Sequence, residues 1–76
     1  MTIYILLYHH NDINNDYASI EAVSTNYNEI INKFNEMKKD LQKEGLHLIE
    51  SHTKYAKFSN KYFELLYELE IVEKLI

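Results

Sequence analysis

The clearest pattern of apolar and polar positions lies between Asn26 and Gly45. Asn26 suits the N-cap of a helix, and Glu29 three residues later completes a capping-box pattern. Gly45, the only glycine, suits the left-handed position that ends a helix. Apolar residues recur between them at the spacing of one helix face, at Tyr27, Ile30, Ile31, Phe34, Met37 and Leu41. The pattern predicts one amphipathic helix.

Two segments before the helix have the composition of β-strands. Residues 3–9 are β-branched or aromatic and apolar on both faces, which predicts a strand at the centre of a sheet. Residues 17–24 alternate, with Ala18, Ile20 and Ala22 on one side, which predicts a half-buried strand. Because residues 10–16 between them are polar, we expect an antiparallel hairpin with a long loop.

The chain after Gly45 is harder to interpret. Residues 46–49 fit a short strand or an extension of the helix, and the cost of a glycine inside a helix favours a break. Residues 51–60 are polar and ambiguous, so strand, loop and helix extension all stay open for residues 46–60. Residues 62–75 fit a helical stripe as well as a strand, and their β-branched and aromatic content, with unbroken alternation from Phe63 to Ile71, favours the strand.

These elements predict an α+β fold in a single domain, residues 1–76. A small antiparallel sheet in the order β-β-α-β, with a possible extra short strand, is covered on one face by a single helix, which makes two layers. The expected core is Ile3, Ile5, Leu7, Ile20, Val23 or Ala22, Ile30, Phe34, Met37, Leu41, Phe63, Leu65 and Leu69.

A sheet with one helix leaves one face uncovered. If Ile3, Ile5 and Leu7 face the helix, their neighbours in the strand must face away, because side chains alternate. The sequence therefore predicts a tyrosine-rich apolar surface with an acidic margin, and such surfaces usually bind a partner. Its occupant is a second subunit or a different protein. The predicted partner-binding residues are Tyr4, Leu6, Tyr8, Glu21, Glu64, Leu66, Glu68 and Glu70, with Tyr62 beside them.

Composition narrows the classes of function. The net charge is −4 and arginine is absent, so direct nucleic-acid binding is not expected. Without cysteine there is no disulfide and no thiolate metal site. The apolar run from Ile3 to Tyr8 is too short for a signal-peptide core or a membrane span, so we expect a cytoplasmic protein with no membrane contact.

Candidate catalytic chemistry is sparse. One glycine cannot build a phosphate loop, no nucleophile motif is present, and the glutamates of residues 64–70 are typical of the solvated side of a strand. We therefore expect no enzyme and no cofactor.

The histidines suggest two further sites. His9 could converge with Asp12 and Asp16 in the loop, whereas His47 and His52 are spaced by five, which fits no known zinc pattern. Surface and loop histidines are the simpler interpretation, so no metal site is expected. A small-ligand pocket at a dimer interface is a separate hypothesis, with a lining of His9, His10, Tyr17 and Tyr55.

The order of these segments resembles a group of short uncharacterised phage and bacterial domains. The likeness lies in residues 4–10, in Ile20-Glu21-Ala22-Val23-Ser24-Thr25, in the helix from Tyr27, and in the ending from Lys61-Tyr62-Phe63-Glu64 to Glu70. The group has an aromatic residue before its Ser-Thr step, where this chain has Val23. The resemblance implies a viral or mobile-element origin and carries over no catalytic residue.

The leading functional hypothesis follows from the surface and the resemblance together. It is a non-enzymatic, phage-encoded factor that binds and inhibits a host protein complex, by analogy with anti-CRISPR proteins that block a defence effector. Two alternatives stay open. One is a small-ligand-binding homodimer, and the other is a purely structural homo-oligomer.

Overall fold

A computed structural model describes residues 1–76 of the chain. Five strands form one antiparallel sheet in the spatial order β2-β1-β5-β4-β3, and a single helix packs on one of its faces. The predicted two-layer α+β fold is confirmed, with two strands more than the minimum order β-β-α-β and one more than the possible extra strand provides. The elements are β1 (Thr2–Asn11), β2 (Asp16–Ser24), α1 (Tyr27–Lys43), β3 (His47–His52), β4 (Tyr55–Ser59) and β5 (Leu66–Leu75).

The helix begins and ends where the sequence predicts. The Asn26 side chain accepts a hydrogen bond from the backbone N–H of Asn28, as an N-cap does. Glu29 does not complete the capping box, because its carboxylate accepts from the Ser24 hydroxyl instead. Gly45 has φ 93°, and the N–H groups of Gly45 and Leu46 donate to the carbonyls of Gln42 and Leu41. These two bonds form a Schellman motif.

The second half of the sheet contains a hairpin that the polar sequence of residues 51–60 left undecided. β3 and β4 pair antiparallel around a turn at Thr53 and Lys54. β5 is the strand favoured for residues 62–75, but it begins only at Leu66. Before it, the Asn60 side chain accepts hydrogen bonds from the N–H groups of Glu64 and Leu65 and so fixes a turn.

The core confirms the predicted helix face and corrects the predicted face of β1. Its buried apolar residues include Ile30, Phe34, Leu41 and Leu69, as expected. The other buried apolar members are Leu6, Ala56, Phe58 and Ile71. Met37 and Ala22 pack against this core as half-buried side chains.

Several residues predicted for the core lie outside it. Phe63 is 67% exposed in the turn before β5, where its φ is 57°. Leu65 is only half-buried. Four other predicted core residues are on the face of the sheet that the helix leaves open, and they are Ile3, Ile5, Leu7 and Ile20. Of the two alternatives Val23 and Ala22, Ala22 packs against the core and Val23 lies on the open face.

Candidate functional site

The face of the sheet opposite α1, here called the open face, carries a continuous group of aliphatic side chains. The strand register places them together: Ile5 pairs with Val23 on one side and with Val72 on the other, and Leu7 pairs with Ile20. Residues paired in register share a face of the sheet. We call this group the aliphatic strip, and its members are Ile3, Ile5, Leu7, Ile20, Val23 and Val72.

The aliphatic strip is accessible. Ile20 is 64% exposed and Val23 is 56% exposed, while the other members are half-buried by their neighbours. No residue of the strip packs against the core beneath α1. Contiguous exposed apolar surface of this kind usually marks a contact site, whereas single exposed apolar residues need no explanation.

The predicted binding residues of β1 lie on the covered face, so this part of the predicted surface is wrong. Leu6 is 0% exposed, and Tyr4 and Tyr8 are half-buried against the core. The ring of Tyr4 meets Tyr27 of α1 edge-on, with centroids 5.2 Å apart. β1 is apolar on both faces, so its alternation alone does not select the side that faces α1. Pairing of Leu6 with Ile71 of β5 makes that selection.

The other predicted binding residues, four glutamates and Leu66, do not all lie together on the open face. Leu66, Glu68 and Glu70 do lie on the open face, because they alternate with Tyr67, Leu69 and Ile71 on the covered one.

The two other glutamates are exposed but lie apart from that group. Glu21 is the extra residue of a β-bulge, since Leu6 pairs with Ala22 and Leu7 with Ile20. Its carboxylate accepts a hydrogen bond of 2.7 Å from the Ser19 hydroxyl. Glu64 lies in the turn before β5. The bulge also explains why Ala18 and Ile20 lie on the opposite face from Ala22, contrary to the predicted alternation.

A polar cluster adjoins the aliphatic strip on the open face. The Nε2 atom of His9 lies 2.5 Å from the Oδ1 atom of Asp16, and its Nδ1 atom lies 3.2 Å from the Oε1 atom of Glu68. The Tyr55 hydroxyl donates a 2.5 Å hydrogen bond to the other carboxylate oxygen of Glu68. We call these four residues, which come from β1, β2, β4 and β5, the His9 network.

The His9 network favours a positively charged imidazole. Both ring nitrogens face carboxylate oxygens, which accept but do not donate when ionised, so both nitrogens must carry a proton. The hydrogen bond to Asp16, and after it the one to Glu68, raises the pKa of His9 above its usual value. The bond from Tyr55, assisted by His9, lowers the pKa of Glu68. Burial, and then the bond to Glu68, raises the pKa of Tyr55.

The second histidine of the pair points to the other face. His10 Nε2 lies 2.6 Å from Asp12 Oδ2, and its ring stacks on Tyr17 with centroids 4.7 Å apart. The hydrogen bond between Asp12 and His10, and after it the bond from the backbone N–H of Asn14, lowers the pKa of Asp12 to about 2. Asp12 therefore joins His10 and not His9, which corrects the expected convergence in the loop.

The same division places the residues of the predicted ligand lining on two different faces of one subunit. His9 and Tyr55 share the open face, whereas His10 and Tyr17 lie on the covered face beside Tyr67. The structure contains no pocket.

The remaining candidates for metal binding do not meet. His52 contacts Glu50, and His47 is exposed without an ion-pair partner. The two carboxylates of the His9 network approach opposite nitrogens of the ring, so they cannot share one ion with it. No group of three or more His, Asp or Glu side chains is arranged to hold a metal.

The predicted binding residues include neither Lys74, which lies on the open face beside the strip, nor any of the six residues of the aliphatic strip. Lys74 pairs in register with Ile3. The signal that would have found them is the alternation in β5 of Glu68 and Glu70 with the apolar residues between and after them, because these two glutamates must face solvent. To decide which residues of β1 share a face with these glutamates, one needs the pairing register between β1 and β5, and the sequence does not show that register.

Comparisons with protein-family models, with curated proteins and with solved structures gave no match. α1, the single helix, is too short and too polar to cross a bilayer.

Proposed function

We propose that this chain is a non-catalytic protein-binding module and that it binds through the open face of its sheet. The observation that carries the proposal is the aliphatic strip, whose side chains lie side by side across β2, β1 and β5 on the face that no helix covers. Leaving such a surface in water is costly, at roughly 25 cal/mol for each Å² of apolar area. A partner that covers the strip recovers this free energy.

The composition of the open face supports a protein as the partner. Protein interfaces combine an apolar centre, from which charged residues are depleted, with a polar and solvent-accessible margin, and tyrosine is enriched in them. Here the His9 network forms such a margin next to the strip, and its members are already held by one another. The side chains of the His9 network are therefore preorganised, and they lose little conformational entropy when a partner binds.

A finer identity belongs to the same proposal. The sequence resemblance suggests a phage-encoded inhibitor that acts in the host cytoplasm on a protein complex such as a CRISPR effector. An acidic margin suits a basic, nucleic-acid-handling partner, because complementary charge speeds and orients association. This identity stays a prediction until a partner is captured.

The test compares two isoleucine-to-lysine substitutions. Ile20 lies in the aliphatic strip and is 64% exposed, and Ile13 lies in the β1–β2 loop and is 81% exposed. Neither change disturbs the core, so both variants should fold. In affinity capture from host extract, we expect Ile20→Lys to lose a captured partner and Ile13→Lys to retain it. Equal retention by both variants contradicts the proposal.

A further inference from the structure

The open face is ordered in rows that run across the strands. Ile5, Val23 and Val72 form one row, because Ile5 pairs in register with both valines. The next row toward Asn11 contains Leu7 and Glu70, and the row on the other side contains Ile3 and Lys74. Rows on one face are about 7 Å apart, since side chains of the same face recur every second residue. The apolar Ile5 row is thus flanked by two mixed rows of opposite charge.

Glu70 and Lys74 are both free to pair with a partner. Each is exposed, and neither takes part in any ion pair of the subunit. They lie four residues apart on β5, about 13 Å, with Val72 between them. The neighbouring Glu73 differs, because it lies on the other face and pairs with Lys54. The open face therefore presents an unpaired cation and an unpaired anion at equal distances from the Ile5 row.

Building on the proposed function, we infer that a second copy of this chain occupies the open face, sheet against sheet, about a two-fold axis along the Ile5 row. The rotation places the Ile5 row of one subunit on the Ile5 row of the other. It places Ile3 over Leu7 of the second copy, and Lys74 over Glu70 of the second copy. Apolar groups then meet apolar groups, and the opposite charges meet twice because the contact is symmetric.

The size of the molecule agrees with this occupant. The Cα positions extend over 42 × 22 × 16 Å, so the subunit is a slab with two broad faces. A standard stable interface covers about 800 Å² on each partner, and a broad face of these dimensions provides that area. Two-fold dimers are the commonest assemblies of identical chains, and aligned packing of two sheets is a common way to bury their inner faces. The His9 network then lies at the margin of the overlap.

The experiment measures the mass of the protein by sedimentation equilibrium from low to high micromolar concentration. We expect the wild-type chain of 9.1 kDa to form dimers of twice that mass. Lys74→Glu and Glu70→Lys should each raise the dissociation constant by about tenfold or more, because each creates two like-charge contacts. The double variant Lys74→Glu/Glu70→Lys restores opposite charges, so it should return the dissociation constant close to the wild-type value.

The controls make the same changes of charge elsewhere. Lys39→Glu and Glu36→Lys alter exposed residues of α1, away from the open face, and should leave the dissociation constant unchanged. A wild-type protein that stays monomeric overturns the inference, and so does a dimer that the double variant fails to restore. After either result, affinity capture with Ile20→Lys still tests the proposed function. The proposed function is retained if this variant fails to capture a different protein that the wild-type chain captures, and it is rejected if the variant captures that protein unchanged.

Discussion

At the scale of single residues, His9 is the group whose charge the fold controls most directly. Hydrogen bonds to Asp16, and next to Glu68, raise its pKa in the folded protein. A raised folded-state pKa means that the stabilisation is fully present below the unfolded value, near 6.5, and is lost as the pH rises through the folded value. The network should therefore stabilise the fold at mildly acidic pH and contribute less in alkaline solution.

This behaviour gives a residue-level prediction. Asp16→Asn removes the stronger carboxylate contact, so the pKa of His9 should fall, and nuclear magnetic resonance titration of the His9 ring protons measures the shift. In urea titrations, His9→Gln should flatten the fall in unfolding free energy above pH 6.5. His47→Gln, at an exposed histidine without an ion-pair partner, should leave that fall unchanged. A His9 pKa that is the same in wild type and Asp16→Asn would contradict the assigned contact.

At the scale of elements, β1 shows which structural features the sequence pattern predicts and which it does not. Its strand character, its interior position between two neighbouring strands and its hairpin with β2 follow from composition and turn residues, and α1 follows from its period and caps. The facing of β1 does not follow, because Ile3, Ile5 and Leu7 are as apolar as the residues between them. Pairing with β5 decides it, and such pairing is a long-range property.

Bulges and turns explain most of the other differences. One extra residue at Glu21 reverses the facing of half of β2, and nothing in the local alternation marks it. Phe63 continues the alternation of β5, yet the Asn60 turn holds it at φ 57°, a backbone conformation that disfavours bulky side chains. Tertiary structure overrides the local pattern at both positions. The polar part of the open face is predictable because glutamates on a strand face water. The sequence pattern instead places Ile3, Ile5, Leu7 and Ile20 of the aliphatic strip in the core, with Val23 as an alternative to Ala22, and it makes no core assignment for Val72.

The corrected facing of β1 is tested by two neighbouring leucines. Leu6 is 0% exposed beneath α1, so Leu6→Ala should lower the unfolding free energy by about 2–5 kcal/mol. Leu7 lies on the open face, where Leu7→Ala should cost the isolated subunit about 1 kcal/mol or less. Urea unfolding at dilute concentration measures both. Equal losses of unfolding free energy, or a larger loss for Leu7→Ala, would contradict this facing and support the sequence-based expectation that Leu7 faces α1.

At the scale of the whole molecule, the small core and the open face are linked. Only 9 of 76 residues are buried, so the subunit has little apolar burial of its own. A dimer formed on the open face adds burial that belongs to the assembly, and it couples folding to protein concentration. Stability and binding then depend on the same side chains.

This coupling predicts that the melting temperature of the wild-type protein rises with concentration, by roughly 5 °C or more over a hundredfold range. Ile20→Lys places a charge in the aliphatic strip and should remove the dependence, and its melting temperature should equal the wild-type value at high dilution. Ile13→Lys leaves the strip intact and should retain the full rise. Circular dichroism at several concentrations measures all three proteins. A wild-type melting temperature that does not change with concentration would show that the stability of the fold does not depend on self-association. The partner that covers the open face would then be a different protein.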